Sequence, residues 1–242
     1  MKLYLRSDDV NHDMAFSLAG QLRGRLLDSA DLPQAGYLLE IQGETMSLLN
    51  LDDSSSRPFS VSFEPRFQAR GQDPLRQALG KKYEVVFDLT AGWCADASAM
   101  VEMGARVTAF ESNPLIFHMV KFALKHYQDP ELQQNLHLIN ANGSNCVELA
   151  SVPDVVYLDP MYPPRPGSAA SPRAITLFRD IVNESASKSA SSETSLLRIA
   201  RDVAGYRVVV KRPHHAPPIE ETGKVGEIRS KQLRFDLYAP NW

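Results

Sequence analysis

The chain has 242 residues, 43% hydrophobic and 23% charged, with a formal net charge of −3 and two cysteines. That length accommodates one α/β domain with an appendage, or two small domains, and a substantial core. Cys94 and Cys146 are far apart, with no CxxC pair and no histidine spacing typical of zinc, which excludes a disulfide framework and predicts no metal site.

The first ten residues, MKLYLRSDDV, hold no apolar segment of signal-peptide length, and no run approaches membrane-spanning length. The expectation is a soluble, cytoplasmic protein in a reducing compartment, with no membrane partner. Charge is unevenly spread: residues 1–160 hold 13 Lys/Arg against 21 Asp/Glu, whereas residues 161–242 hold 13 against 8. An anionic polymer would lie against the basic end.

Residues 1–80 read as a small β-rich domain. GYLLEIQ, TMSLLNLD and FSVSFEP, within residues 36–65, are short strand-like stretches divided by turn residues, which predicts an antiparallel meander. Residues 81–242 read as the catalytic domain, where strands alternate with helical patterns, the mark of βαβ units and a parallel sheet. YEVVFDLT (83–90) is its first strand and ADASAMVEMG (95–104) its first helix; ARVTAFES (105–112) is the second strand. Pro114 then opens a helix behind Ser112 or Asn113 as cap, with Leu115, Ile116, Met119, Val120, Ala123, Leu124 and Tyr127 on one core-facing side.

LHLINAN (136–142) is the third strand and VVYL (155–158) the fourth. A helix over ITLFRDIV follows, then a polar, Ser-rich loop over residues 183–195, and a helix from 195 to 206. RVVVKRP (207–213) is the fifth strand, and VGEIRS with LRFDLYA closes the sheet as an antiparallel hairpin. There is no internal repeat.

Two loops carry the chemistry. After the first strand, DLTAGWCAD offers Gly92 for the backbone turn and a helix N-terminus behind it, while Glu111 ends the second strand 19 residues after Gly92. A carboxylate there can accept both ribose hydroxyls of an adenosine cofactor. Asp88 or Asp96 would lie near the amino group of a methionine moiety. A dinucleotide fingerprint wants three glycines, and this loop has Gly92, Cys94 and Ala97 in their places. That favours S-adenosylmethionine over a nicotinamide cofactor.

The fourth strand ends in Asp159, Pro160, Met161 and Tyr162. The exocyclic amine of a nucleobase is a poor nucleophile because its lone pair is delocalised into the ring. An Asp159 carboxylate and a Pro160 or Met161 carbonyl would accept its two hydrogens while Tyr162 stacks on the base. The same turn read blandly is a strand-to-loop bend with a solvated aspartate.

DLTAGWCAD, AFESNP, VVYLDPMYP, RVVVKRP with APP behind it, and LRFDLYAP occur in an order that resembles the RsmJ (YhiQ) family of bacterial small-subunit ribosomal RNA guanine-N2 methyltransferases. The resemblance covers roughly residues 57–240 and includes RFQARGQDPLRQALG. It implies a class I S-adenosylmethionine-dependent methyltransferase fold, α/β with a Rossmann-like doubly wound sheet and a C-terminal antiparallel hairpin, beside the small β-rich domain. It implies S-adenosyl-L-methionine as cofactor, methylation of the 2-amino group of one guanosine, and 16S rRNA or the small ribosomal subunit as partner. By position, the cofactor would meet Ala95 and Asp96, Glu111 and Ser112, Asn142 and Gly143, and Asp159. Cys94 stands where the family favours glycine.

Arg66, Arg70, Arg165, Arg173, Lys211 and Arg212 are the candidate phosphate contacts. Rival readings are an adenine N6 methyltransferase on DNA or RNA, a nicotinamide oxidoreductase, and a non-enzymatic RNA-binding ribosome assembly factor. The oligomeric state stays open at this level.

Overall fold

The structure, a computed structural model, describes residues 1–28, 33–63, 73–161, 173–183, 190–231 and 233–241. The elements run β1 Leu3–Ser7, α1 His12–Leu22, β2 Arg25–Leu26, β3 Tyr37–Gln42, β4 Thr45–Asn50 and β5 Phe59–Ser60. There follow α2 Pro74–Leu79, β6 Val85–Asp88, α3 Ala95–Glu102, β7 Arg106–Phe110, α4 Pro114–His126, α5 Pro130–Asn135, β8 Leu136–Ile139 and β9 Val155–Leu158. The last are α6 Arg173–Asn183, α7 Ala190–Val203, β10 Arg207–Pro213, β11 Lys224–Arg229 and β12 Leu233–Tyr238.

These fall into two compact units. The first gathers Met1–Phe63, Asn113–Gln128 and Ala170–Ala186; the second gathers Glu64–Ser112, Asp129–Ala169 and Ser187–Trp242.

In the first unit the strand order is β2-β1-β3-β4-β5. The β3–β4 hairpin pairs Gln42 with Thr45, leaving a two-residue turn in which Gly43 has φ +55°, a conformation glycine enters without Cβ strain. β4 to β5 is also antiparallel. β1, however, pairs parallel with both β2 and β3, so the expected meander is only the later half of this sheet. Leu5, Leu39, Ile41 and Leu48 are fully buried in its core. Each such side chain contributes roughly 1.5–3 kcal/mol of transfer free energy.

In the second unit seven strands are ordered β11-β12-β10-β9-β6-β7-β8. β10, β9, β6, β7 and β8 are parallel, and β12 runs antiparallel to both β10 and β11. The apolar runs explain the centre: all four residues of β9 are buried, as are Val208, Val209 and Val210 of β10, as parallel strands covered on both faces require. From β6 the chain proceeds outward to β7 and β8, then returns to the other side of β6 as β9. The order therefore reverses between β6 and β9, and the crevice beyond their carboxyl ends is where ligands bind in open α/β sheets. Asp88 ends β6 and Asp159 follows β9.

Three helices begin alike. Asp73, Asn113 and Asp129 each precede a proline at the first helical position, and each side chain accepts hydrogen bonds from the two N–H groups after that proline. Such caps are worth about 1 kcal/mol. α7 starts at Ala190, so the predicted 183–195 loop is helical from residue 190 onward. No helix is long and apolar enough to cross a membrane among the described residues.

Candidate active site

The site is built where β6, β7, β8, β9 and β10 end. Asp88 is buried, and its Oδ1 accepts the Thr90 N–H at 3.0 Å. Burial lifts its pKa to about 8, with the Asp96 and Asp159 charges pushing the same way against the Thr90 N–H and Lys211. Gly92 turns the chain at φ +53° and donates its N–H to Glu111 Oε2 at 2.9 Å. Glu111 is itself buried; its backbone carbonyl accepts from Asn140 Nδ2 at 2.8 Å, which fixes the end of β7 to the end of β8.

Cys94 precedes α3 with φ +59°, ψ +25°, left-handed, and makes no side-chain cap. This is the position where glycine was expected, and the reason is now physical, since a Cβ there costs about 1 kcal/mol or more. The Cys94 side chain is fully buried, and burial pushes its thiol well above the usual range. Both cysteines are free. Ala95 and Asp96 form the first turn of α3, which begins at the residue expected from the sequence.

Asp96 and Asp159 are joined by Lys211. Its ammonium donates to Asp96 Oδ2 at 2.6 Å and to Asp159 Oδ2 at 2.9 Å. The Tyr157 hydroxyl donates to the same Asp96 oxygen at 2.8 Å, and the Asp159 N–H donates to Thr90 Oγ1 at 2.6 Å. Burial raises the Asp159 pKa, Lys211 opposes the rise, and the Asp96 charge adds to it. The Asp159 side chain keeps 40% exposure, so one edge of the group faces outward.

The remaining cofactor candidates lie on the rim. Ser112 is exposed after Glu111. Asn142, also exposed, accepts the Ser144 N–H at 3.0 Å and caps a short turn of 3₁₀-helix. Gly143 is buried against Leu89: a Cβ there would overlap the Leu89 carbonyl oxygen and lie 2.6 Å from its Cβ. Only glycine lets the loop after β8 touch the loop after β6. Pro160 and Met161 are half-buried beyond Asp159.

Tyr162, Arg66, Arg70 and Arg165 lie outside the described residues, and Arg173 opens α6. Lys211 and Arg212 point inward instead of lining an open basic face. Arg212 is 3% exposed; it donates to the Pro217 carbonyl at 3.0 and 3.2 Å and to Glu193 at 3.2 Å. Sequence reasoning gave no role to Thr90 or Tyr157, and it read Lys211 as a phosphate contact and not as the partner of two carboxylates. The signal was present in the last two: Tyr157 shares a strand face with Asp159 by period two, and a lysine ending a valine run must meet a partner.

The donor set decides what can bind. Asp96 and Asp159 share one ammonium, and buried Asp88 stands near enough for both of their charges to help push its pKa up, so the site carries a surplus of carboxylates. A pyrophosphate would worsen that surplus, whereas a ligand carrying an ammonium and a sulfonium relieves it. With Glu111 at the end of β7 and Gly143 closing the loops, the residues fit S-adenosylmethionine.

Comparisons with known proteins agree. Residues 25–240 match the family model described as "Putative SAM-dependent methyltransferase". The chain is 31% identical to ribosomal RNA small subunit methyltransferase J of Colwellia psychrerythraea, over 96% of this chain and 90% of that one. It is 32% identical to the protein of the same name from Neisseria meningitidis serogroup C, over 86% of each. A crystal structure of a SAM-dependent methyltransferase from Neisseria gonorrhoeae superposes with a TM-score of 0.71 at 25% identity, covering 98% of this chain and 96% of that one. The fold is thus the class I, Rossmann-like methyltransferase fold, and S-adenosyl-L-methionine is the cofactor. By sequence, fold and site alike, the chain belongs to the ribosomal RNA small subunit methyltransferase J family.

Proposed function

We propose that the protein methylates the 2-amino group of one guanosine in 16S rRNA, free or within the small ribosomal subunit. The observation that carries this reading is the fixed turn after β9, where Thr90 grips the Asp159 N–H and Lys211 grips its carboxylate beside the cofactor loop. The names of the relatives supply the substrate class.

Bound S-adenosylmethionine supplies a methyl group made electrophilic by its sulfonium. Asp88 and Asp96 would face its amino group and Glu111 its ribose hydroxyls, with Gly92, Ala95, Ser112, Asn142 and Gly143 completing the walls. Asp159 accepts one hydrogen of the guanine amine and the Pro160 carbonyl the other, which turns the nitrogen lone pair toward the cofactor side. Tyr162, next but one after Pro160, supplies the stacking face for a base turned out of its helix or loop, at a cost of a few kcal/mol. Asp159 is not required to be a strong base, because the amine becomes acidic only as its nitrogen is alkylated; it then takes the departing proton.

The phosphate contacts fall to Arg66, Arg70, Arg165 and Arg173, since Lys211 and Arg212 have carboxylate and carbonyl partners within the chain. Asp159→Ala tests the site directly. Transfer to small-subunit RNA should be abolished while the fold, read by thermal unfolding, stays intact; near-normal turnover by this variant rejects the assignment.

A further inference from the structure

Lys211 holds Asp159 in the scheme above, but its effect on the transfer step is not yet assigned. Val210 is in register with Leu158, so the next step along β10 brings Lys211 level with Asp159. Its neighbours Val210 and Arg212 are buried, and its own side chain is 17% exposed. An ammonium carries three donors and no acceptor, which suits it to bridging two carboxylates. It does so here at 2.6 and 2.9 Å.

We propose that Lys211 is a positioning residue for methyl transfer: by tying Asp159 Oδ2 to Asp96 at the start of α3, it commits Asp159 Oδ1 to the substrate amine. The inference rests on Asp159 being the amine acceptor. It also links the two halves of the site, because Asp96 belongs to the cofactor loop and Asp159 to the substrate turn. Tyr157 holds the Asp96 end by donating to the same oxygen, and Thr90 holds the Asp159 backbone. Lys211 could serve a phosphate only by leaving both carboxylates uncompensated in a half-closed crevice, which is costly.

The groups facing Lys211 set its pH behaviour. They are Asp96 from α3, Tyr157 and Asp159 from the end of β9, Asp88 from the end of β6, and the adjoining Arg212. On β12 its register partner is Phe235, flanked by Arg234 and Asp236, which pair with each other. Burial would lower the Lys211 pKa, but Asp159 and Asp96 outweigh it and the net shift is upward. Lys211 in turn opposes the burial that raises Asp159. Without the ammonium, Asp159 takes a proton more readily, and the ionised form appears only at higher pH.

The test compares wild type with Lys211→Met, which keeps the stem, and Lys211→Arg, which keeps the charge. Single-turnover transfer to small-subunit RNA is followed from about pH 6 to 9, with RNA titrated, and cofactor binding is measured by calorimetry. Lys211→Met should lose about 100-fold in the maximal rate with RNA half-saturation within about threefold, and the acid limb of its rate profile should move to higher pH. Lys211→Arg should recover most of that rate. In the cofactor-free protein, the unfolding midpoint of Lys211→Met should fall more steeply than wild type between about pH 5 and 8, because its carboxylates have lost their counter-charge.

A phosphate contact would instead weaken RNA binding and flatten its salt dependence at an unchanged maximal rate. A slower enzyme with an unmoved acid limb and no rescue by arginine would reduce Lys211 to a structural pair; either result overturns the proposal. If Lys211→Met does not fold, Lys211→Gln removes the same charge while keeping a polar side chain: at saturating cofactor, a slower rate at unchanged RNA half-saturation with the acid limb moved to higher pH supports the proposal, and an unchanged rate overturns it. The label's identity separates this proposal from the one beneath it. If wild type marks another nucleoside, the guanine assignment fails while the rate comparison still reads Lys211; if wild type forms N2-methylguanosine and Lys211→Met matches its rate, Lys211 alone is misread.

Discussion

Asp88→Asn is the most informative change to the cofactor-free protein. Asp88 is 2% exposed and its pKa is lifted from 3.8 to about 8, chiefly by burial. A raised acid means that the folded state holds the proton more tightly than the unfolded chain does. Its contribution to stability is therefore greatest below the unfolded pKa of 3.8, declines as pH rises toward 8, and is constant above. The decline amounts to about 1.4 kcal/mol per pH unit well below pH 8 and flattens as that pH is reached, or about 2 kcal/mol between pH 6 and 8. Asparagine has nearly the same shape, can accept the Thr90 N–H through its carbonyl oxygen, and carries no charge. The difference between variant and wild type should thus move by about 2 kcal/mol in favour of asparagine from pH 6 to 8, a relative rise of about 5–10 °C in Tm for a unit of this size. Thermal or urea unfolding at a series of pH values measures it. Saturating S-adenosylmethionine should shrink the difference, since its cationic groups favour ionised Asp88. Parallel stability curves for the two proteins would refute the reasoning, because Asp88 would then be ionised in the fold without penalty.

Three further outcomes are expected. Gly143→Ala forces a Cβ into Leu89, so it should cost about 1–3 kcal/mol in urea unfolding and weaken cofactor binding by calorimetry. Cys94→Gly should be more stable than Cys94→Ala by about 1 kcal/mol in thermal unfolding, because only glycine relieves the left-handed backbone at φ +59°. Thr90→Val removes the acceptor of the Asp159 N–H, so it should cost about 1–2 kcal/mol of stability and slow single-turnover transfer more than it weakens cofactor binding.

Much of this was legible in the sequence because strand content and strand ends are local. The valine-rich runs around Val86, Val156 and Val209 announce buried parallel strands; Asp88, which ends the first, and Asp159, which follows the second, mark the crevice. The helix after Asn113-Pro114 is readable from its cap and its periodicity. The same Asp-Pro signal stood at Asp73 and Asp129, where α2 and α5 are six-residue helices too short to show a period. β1 and α1 passed unread for a different reason: β1 gains its meaning from parallel pairing with β3, more than thirty residues away. Polar composition hid the start of α7, whose first residues are alanine, serine and glutamate. Within the site, residue types pointed to the acids and the glycines, while the partnership of Lys211 depends on the register of β10 against β9, which no short window contains.

The most direct test is transfer of radiolabelled methyl from S-adenosylmethionine to small ribosomal subunits lacking their native modifications, followed by digestion to nucleosides. Label confined to N2-methylguanosine is the predicted result. Label in N6-methyladenosine or any other nucleoside, or cofactor binding with no transfer at all, would contradict the assignment of the Asp159 turn to the guanine amine.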